Sequence, residues 1–197
     1  MQQDKNVILI GGGGHSLNCA QIFIENNFKI FGFIDLKPNA KLNKICGLNY
    51  LGNDNAIKKY ILEKKYLFFI AIAGFKSTSL RIKLHQYVTK HGGEFANCLS
   101  KDAYIAENAK IGKNVAVFPK AVVNSYANLN DNVIINSGAI IEHEVVIKKN
   151  VHVAPNATIL GNVHVGENSF IGSGSIIKQG TVIRENEFIN ANLFYDK

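Results

Sequence analysis

The chain of 197 residues has no tryptophan, one methionine, three prolines and three cysteines, and only 19% of it is charged. It also lacks any apolar run approaching the roughly 18 residues that cross a bilayer, so no membrane span is expected. The cysteines, Cys19, Cys46 and Cys98, are odd in number and far apart. That excludes a disulfide framework or a zinc knuckle and predicts plain thiols in a reducing cytoplasm. A secretory leader is not expected, because Asp4 and Lys5 precede a short apolar run that stops at four glycines. What is present is 47% apolar residues, too many for a disordered chain. The length allows one or two domains with a sizeable core.

Excess positive charge is confined to one half. Residues 1–99 hold 13 Lys and Arg against 6 Asp and Glu, which leaves the whole net charge of +7, whereas residues 100–197 hold 9 of each sign. The lysines stand singly or in pairs, as at Lys58-Lys59 and Lys64-Lys65, without the clustering and interleaved aromatics of a nucleic-acid binder. No nucleic-acid partner is expected. A field of this sign favours a small anion such as a nucleotide or phosphate ester.

The second half repeats. Every sixth residue from Ile105 to Ile189 is Ile, Val or Leu, fifteen in all, and the register never slips. Four places after each aliphatic stands a small or slim residue, from Ala109 through Ala139 to Thr181, until Glu187 breaks the track. A period of six fits neither a helix nor a flat strand. It predicts a parallel β-helix with three six-residue sides per coil, in which residues 18 apart stack. The polar residues between, among them Asn108, Gly112, Asn114, Asn130, Asp131 and Asn132, suit corners that need unusual backbone angles. The residue before each aliphatic should face outward, yet many are large and apolar, as at Ile134, Ile140, Phe170, Ile176, Val182 and Phe188. Such stripes predict an oligomer packed through the sides of the β-helix.

The first half opens with a strand, Asn6-Val7-Ile8-Leu9-Ile10, then four glycines, His15 and Ser16, then a helical apolar pattern from Leu17. A second strand over residues 30–34 ends in Asp35. Glycines let a backbone approach an anion, and the following helix offers its N–H groups and positive dipole end. An acidic residue some 20 positions on commonly bonds a ribose or base. A strand over residues 67–73 ending at Gly74, a helix over 79–90 and a fourth strand over 94–99 complete a small α/β unit, with residues 37–55 a loop near the same crevice. About 100 residues are too few for a full dinucleotide site, so a mononucleotide is the better match.

The histidines divide. His85 and His91 read as surface residues and His164 as structural. His15 has either a ligand role or a solvated-loop role. His143 falls at a coil corner, where a core role is impossible, and His152 in an apolar stripe, as an interface or a site residue. Spacings of 9 and 12 among His143, His152 and His164 match no common zinc pattern, so no metal is expected.

The glycine loop with His15, Asp35 after the second strand, and Asn136-Ser137-Gly138-Ala139-Ile140-Ile141-Glu142-His143-Glu144 followed by His152-Val153-Ala154-Pro155 together resemble bacterial sugar acyltransferases of the sialic-acid O-acetyltransferase type. The nearest branch in motif is that of the UDP-4-amino-sugar N-acetyltransferases of bacillosamine synthesis. The resemblance covers almost the whole chain. It implies a Rossmann-like nucleotide-sugar-binding domain over 1–100, a left-handed β-helix acyltransferase domain over 101–197, a cytoplasmic homotrimer, and acetyl-CoA as co-substrate without a metal. His143 would then be the general base and Glu144 its support. His152 would contact the thioester, with Gly161 and Ser173 lining the acetyl-CoA arm. Gly13, Gly14, His15, Asp35 and Gly74 would hold the nucleotide-sugar. The implied activity is N-acetylation of a nucleotide-linked amino sugar. O-acetylation of a sialic-acid-like sugar, or a nucleotide-binding scaffold without catalysis, are the alternatives. Two departures stand out: Gly74-Phe75-Lys76 where Gly-Asn-Asn is usual, and a tail over 190–197 where the family commonly ends in Gly-x-Pro-Ala.

Overall fold

The structure, a computed structural model, describes residues 6–38, 47–74 and 78–196. The chain forms two compact units, Met1–Cys98 and Leu99–Lys197.

In the first unit four parallel strands, β1 (Asn6–Ile10), β2 (Ile30–Ile34), β3 (Tyr66–Ile70) and β4 (Glu94–Phe95), lie in the order β2-β1-β3-β4. Val7, Ile8, Leu9 and Ile10 are all buried, as expected of a central parallel strand covered on both faces. Among the described residues its helices are α1 (Gly14–Glu25), α2 (Ala56–Leu62) and α3 (Thr78–Lys90). The strand order reverses direction at β1 and β3, which opens a crevice at their carboxyl ends. The glycine loop therefore stands where such folds bind ligands. Two expectations need correction here. The third strand stops at Ile70 rather than at residue 73. The expected fourth strand over 94–99 is two strands: β4 ends at Phe95, and Cys98–Leu99 pairs within the β-helix. Leu99 lies six residues before Ile105, so the coil register already begins there.

The second unit is a left-handed parallel β-helix with sheets of five, six and six two-residue strands. Partners are 18 residues apart, as in Ile134↔His152 and Ile140↔Thr158. The aliphatic and small tracks fill one continuous core from Val115 to Ile189. The tail does not leave the coil: Phe194–Tyr195 forms a further strand beside Ile176–Ile177.

Corner residues behave more narrowly than composition implies. One residue per corner, the third after each aliphatic, takes the left-handed conformation, from Asn114 (φ 55°) through Glu144 (φ 60°) to Asn192 (φ 55°). Of the six polar corner residues singled out above, only Asn114 and Asn132 do so. The others sit in turns of ordinary φ. Asparagine recurs at one corner because its side chain tolerates this region and also stacks. Asn114, Asn132, Asn150, Asn168 and Asn186 form an amide ladder, each Nδ2 donating to the next Oδ1 over 2.7, 2.8, 2.9 and 3.1 Å. The outward stripes are not uniformly exposed. Ile134 is buried, whereas Ile176, Val182, Phe188 and Phe194 are 42–67% exposed. Among the described residues no helix is long and apolar enough to cross a membrane.

Candidate active site

His143 follows the strand Ile140–Ile141 at a corner whose left-handed residue is Glu144. Neighbouring side chains on a strand point to opposite faces. The left-handed turn at Glu144 removes that alternation and brings its Oε2 within 3.2 Å of the His143 Nδ1. The Glu144 N–H, in turn, is held by the Ser125 carbonyl of the preceding coil at 3.0 Å. Beside it, Glu142 accepts from the Asn124 amide at 3.1 Å. Both members of the pair remain largely open to solvent. A carboxylate at Nδ1 fixes the tautomer that leaves Nε2 as the basic nitrogen.

One coil further on, Gly161 stacks over this ring. A Cβ there would stand 2.6 Å from both Cε1 and Nε2 of His143, so glycine is what leaves the imidazole its place. Gly161 thus joins the histidine site by a contact the sequence reading did not assign to it.

His152 and Ser173 are placed elsewhere on the β-helix. His152 lies on a flat face, nearly buried, edge-on to Phe170 at 5.1 Å, with Phe170 stacked on Phe188 at 5.2 Å. The Asn136 amide nitrogen lies 3.3 Å from the His152 Nε2. Asn136 stands 16 residues before His152, nearly one coil, and that spacing is its signal in the sequence. Ser173 is exposed at the corner after Phe170–Ile171, a different corner from that of His143. Within one chain, then, His143, Glu144 and Gly161 come together while His152 and Ser173 do not join them.

In the first unit Gly13, Gly14, His15 and Asp35 line a cavity of about 310 Å³ at the crevice, together with Gly11, Gly12, Ala71 to Ala73 and Leu80. The glycines let charged groups close in: a Cβ at Gly12 would meet the Asp35 Oδ2 at 2.6 Å. Ser16, fully buried, has its Oγ 2.8 Å from the carbonyls of both Gly11 and Ala71, which fastens the loop to the end of β3. A glycine at this position would lack the hydroxyl that makes both contacts. Helix α1 starts at Gly14, earlier than the apolar pattern indicates, with no acidic residue in its first turn, so its N-terminus presents a positive end to the cavity. Below His15, burial alone would raise the Cys19 thiol. Hydrogen bonds with Cys98 and His15, and the charges of His15 and Arg81, override burial and bring it down to about 6. Gly74 follows the Ala71 to Ala73 wall at φ 100°. Phe75, Lys76, Cys46 and part of the loop over 37–55 lie outside the described residues. Among those described, no group of His, Cys, Asp and Glu is arranged to hold a metal ion.

Residues 6–88 match the family described as the PglD N-terminal domain, and residues 144–179 match the bacterial transferase hexapeptide repeats. The first match falls within the α/β unit and the second within the β-helix. No curated protein matches this sequence. Among solved structures this chain is similar to a mutant of perosamine N-acetyltransferase from Caulobacter crescentus in complex with CoA and GDP-perosamine. The two are 26% identical over 97% of this chain and 89% of that one, with a TM-score of 0.88. The acetyltransferase domain of PglB from Neisseria gonorrhoeae, in complex with acetyl coenzyme A, shares the fold at 24% identity over 98% and 92%, with a TM-score of 0.88. WeeI from Acinetobacter baumannii shares it at 20% identity over 95% and 94%, with a TM-score of 0.69.

Proposed function

We propose that this protein is an acetyl-CoA-dependent N-acetyltransferase. It transfers acetyl to an amino group, at C4, of a nucleotide-linked deoxy sugar, with His143 as general base. The observation that carries the reading is the His143–Glu144 pair, 3.2 Å apart at a solvent-facing corner on a fold shared with perosamine N-acetyltransferase. The Nε2 of His143 takes a proton from the sugar ammonium, whose freed lone pair attacks the thioester carbonyl carbon. The C–S bond then breaks as the tetrahedral adduct collapses, the second proton on nitrogen passing to the departing thiolate sulfur, which leaves an amide, CoA as its thiol and His143 protonated. Glu144 holds the ring in the right tautomer and favours its cationic form. His152, with Asn136 against its Nε2, is assigned to the thioester of acetyl-CoA. Because it lies away from His143 within one chain, the proposal requires a neighbouring copy to complete the site, hence a homotrimer. The glycine loop, His15 and Asp35 hold the nucleotide-sugar. The buried free thiols Cys19 and Cys98 suit a reducing cytoplasm, where we place the reaction.

Replacing His143 with alanine should lower kcat roughly 10²–10⁴-fold, the usual loss for a general base, with little change in KM. Turnover is followed by trapping released CoA with a thiol reagent. A His143→Ala protein that retains wild-type kcat would overturn the assignment and favour the scaffold.

A further inference from the structure

A second cavity, of about 260 Å³, lies between α2 and α3 and meets the glycine-loop cavity along a shared wall, Leu80. Its walls are apolar, with Ile57 and Leu84 buried and the ring of Tyr87 held against that of His91 at 4.2 Å. Two groups of opposite charge face it, Asp54 at the entrance to α2 and Lys83 on α3. Asp54 is partly buried and near enough to Asp35 that burial, then the Asp35 charge, raises its pKa. The two carboxylates thus mark the line along which the cavities join.

Given the nucleotide-sugar reading, on which this step rests, we infer that the second cavity receives the nucleobase and selects guanine. The apolar residues Ile57, Leu80, Leu84 and Tyr87 suit the faces of a planar ring. Guanine alone among the common bases carries two adjacent donors, N1–H and N2–H, on one edge, and a single carboxylate accepts both. Its O6 and N7 acceptors match a lysine ammonium. Uracil and thymine present one N–H between two carbonyls, whose oxygens a carboxylate repels. Adenine and cytosine place their amino group beside an acceptor, which is equally mismatched. The diphosphate and sugar then fall to the glycine loop, with Asp35 at the junction for the ribose.

Calorimetry on the full chain, with GDP, IDP, UDP, dTDP, CDP and ADP as probes, tests this. GDP should bind most tightly. IDP, which differs only in lacking the 2-amino group, should bind about 5–150-fold more weakly, the range for one well-placed polar contact pair to a base. Asp54→Asn should abolish the difference between GDP and IDP. Lys83→Met should weaken both and preserve their ratio, since both bases carry O6 and N7. Tighter binding of UDP or dTDP than of GDP would overturn the guanine assignment and leave the nucleotide-sugar reading intact. So would an undiminished GDP-to-IDP ratio in Asp54→Asn. Failure of every nucleoside diphosphate to bind, with CoA still bound, would overturn both.

Discussion

Glu144 holds φ at 60°, a region that costs a residue other than glycine on the order of 1–3 kcal/mol. At most corners asparagine or glycine avoids much of that cost; here a longer acid is kept, and its carboxylate meets His143. The neighbouring coil makes the same point from the other side. Gly161 has no positive φ, so its backbone would accept alanine, yet the added Cβ would lie 2.6 Å from the His143 ring. Gly161→Ala should therefore leave the melting temperature close to that of the wild type while cutting kcat about 10²-fold, the penalty for misplacing a catalytic group by about 1 Å. A variant with normal turnover would show that the ring need not stay where the structure has it. The pair His143 and Glu144 was readable in the motif and at a corner, and the left-handed turn that closes their contact needed coordinates. Gly161 was readable as 18 residues beyond His143, and its effect on the ring needed coordinates. Ser16 illustrates the converse: its double contact with the Gly11 and Ala71 carbonyls joins loop to strand across 55 residues, which no local pattern reveals.

At the scale of elements, the β-helix was almost wholly legible because each coil repeats the same inward choice, and one slip would have turned aliphatic residues outward. The α/β unit was legible only in outline. Its strand ends depend on partners: the apolar run after Ile70 leaves the ladder, and the run over 94–99 divides because Leu99 already obeys the six-residue register. Left-handed corners escaped composition, since Lys120 and Tyr126 occupy them as well as asparagine. The amide ladder is the element most exposed to a single change. Asn150 donates to Asn168 at 2.9 Å, accepts from Asn132 at 2.8 Å, and holds φ at 63°. Asn150→Ala removes both bonds and places a Cβ residue without a polar side chain in the left-handed region. It should destabilise the fold by about 1–3 kcal/mol. Thermal unfolding read by circular dichroism measures it, and an unchanged midpoint would mean the ladder contributes nothing net.

For the whole molecule, Ile176, Val182, Phe188 and Phe194 remain 42–67% exposed along the sides of the final coils. Ile176 and Phe194 pair on one side, while Val182 and Phe188 lie on the other two; exposed apolar residues on the sides of the coil mark an interface. Light scattering at micromolar concentration should give the mass of three chains, and a monomeric mass would overturn the shared site proposed for His152. The central claim is the transfer itself. It is tested by incubating the chain with acetyl-CoA and a panel of 4-amino nucleotide-sugars, then following free CoA and the acetylated sugar by mass spectrometry before and after mild base. The account predicts one molecule of CoA released per acetylated nucleotide-sugar, with a product that survives base because the new bond is an amide. CoA release without an acetylated sugar, or a product that base returns to the starting sugar, would contradict it.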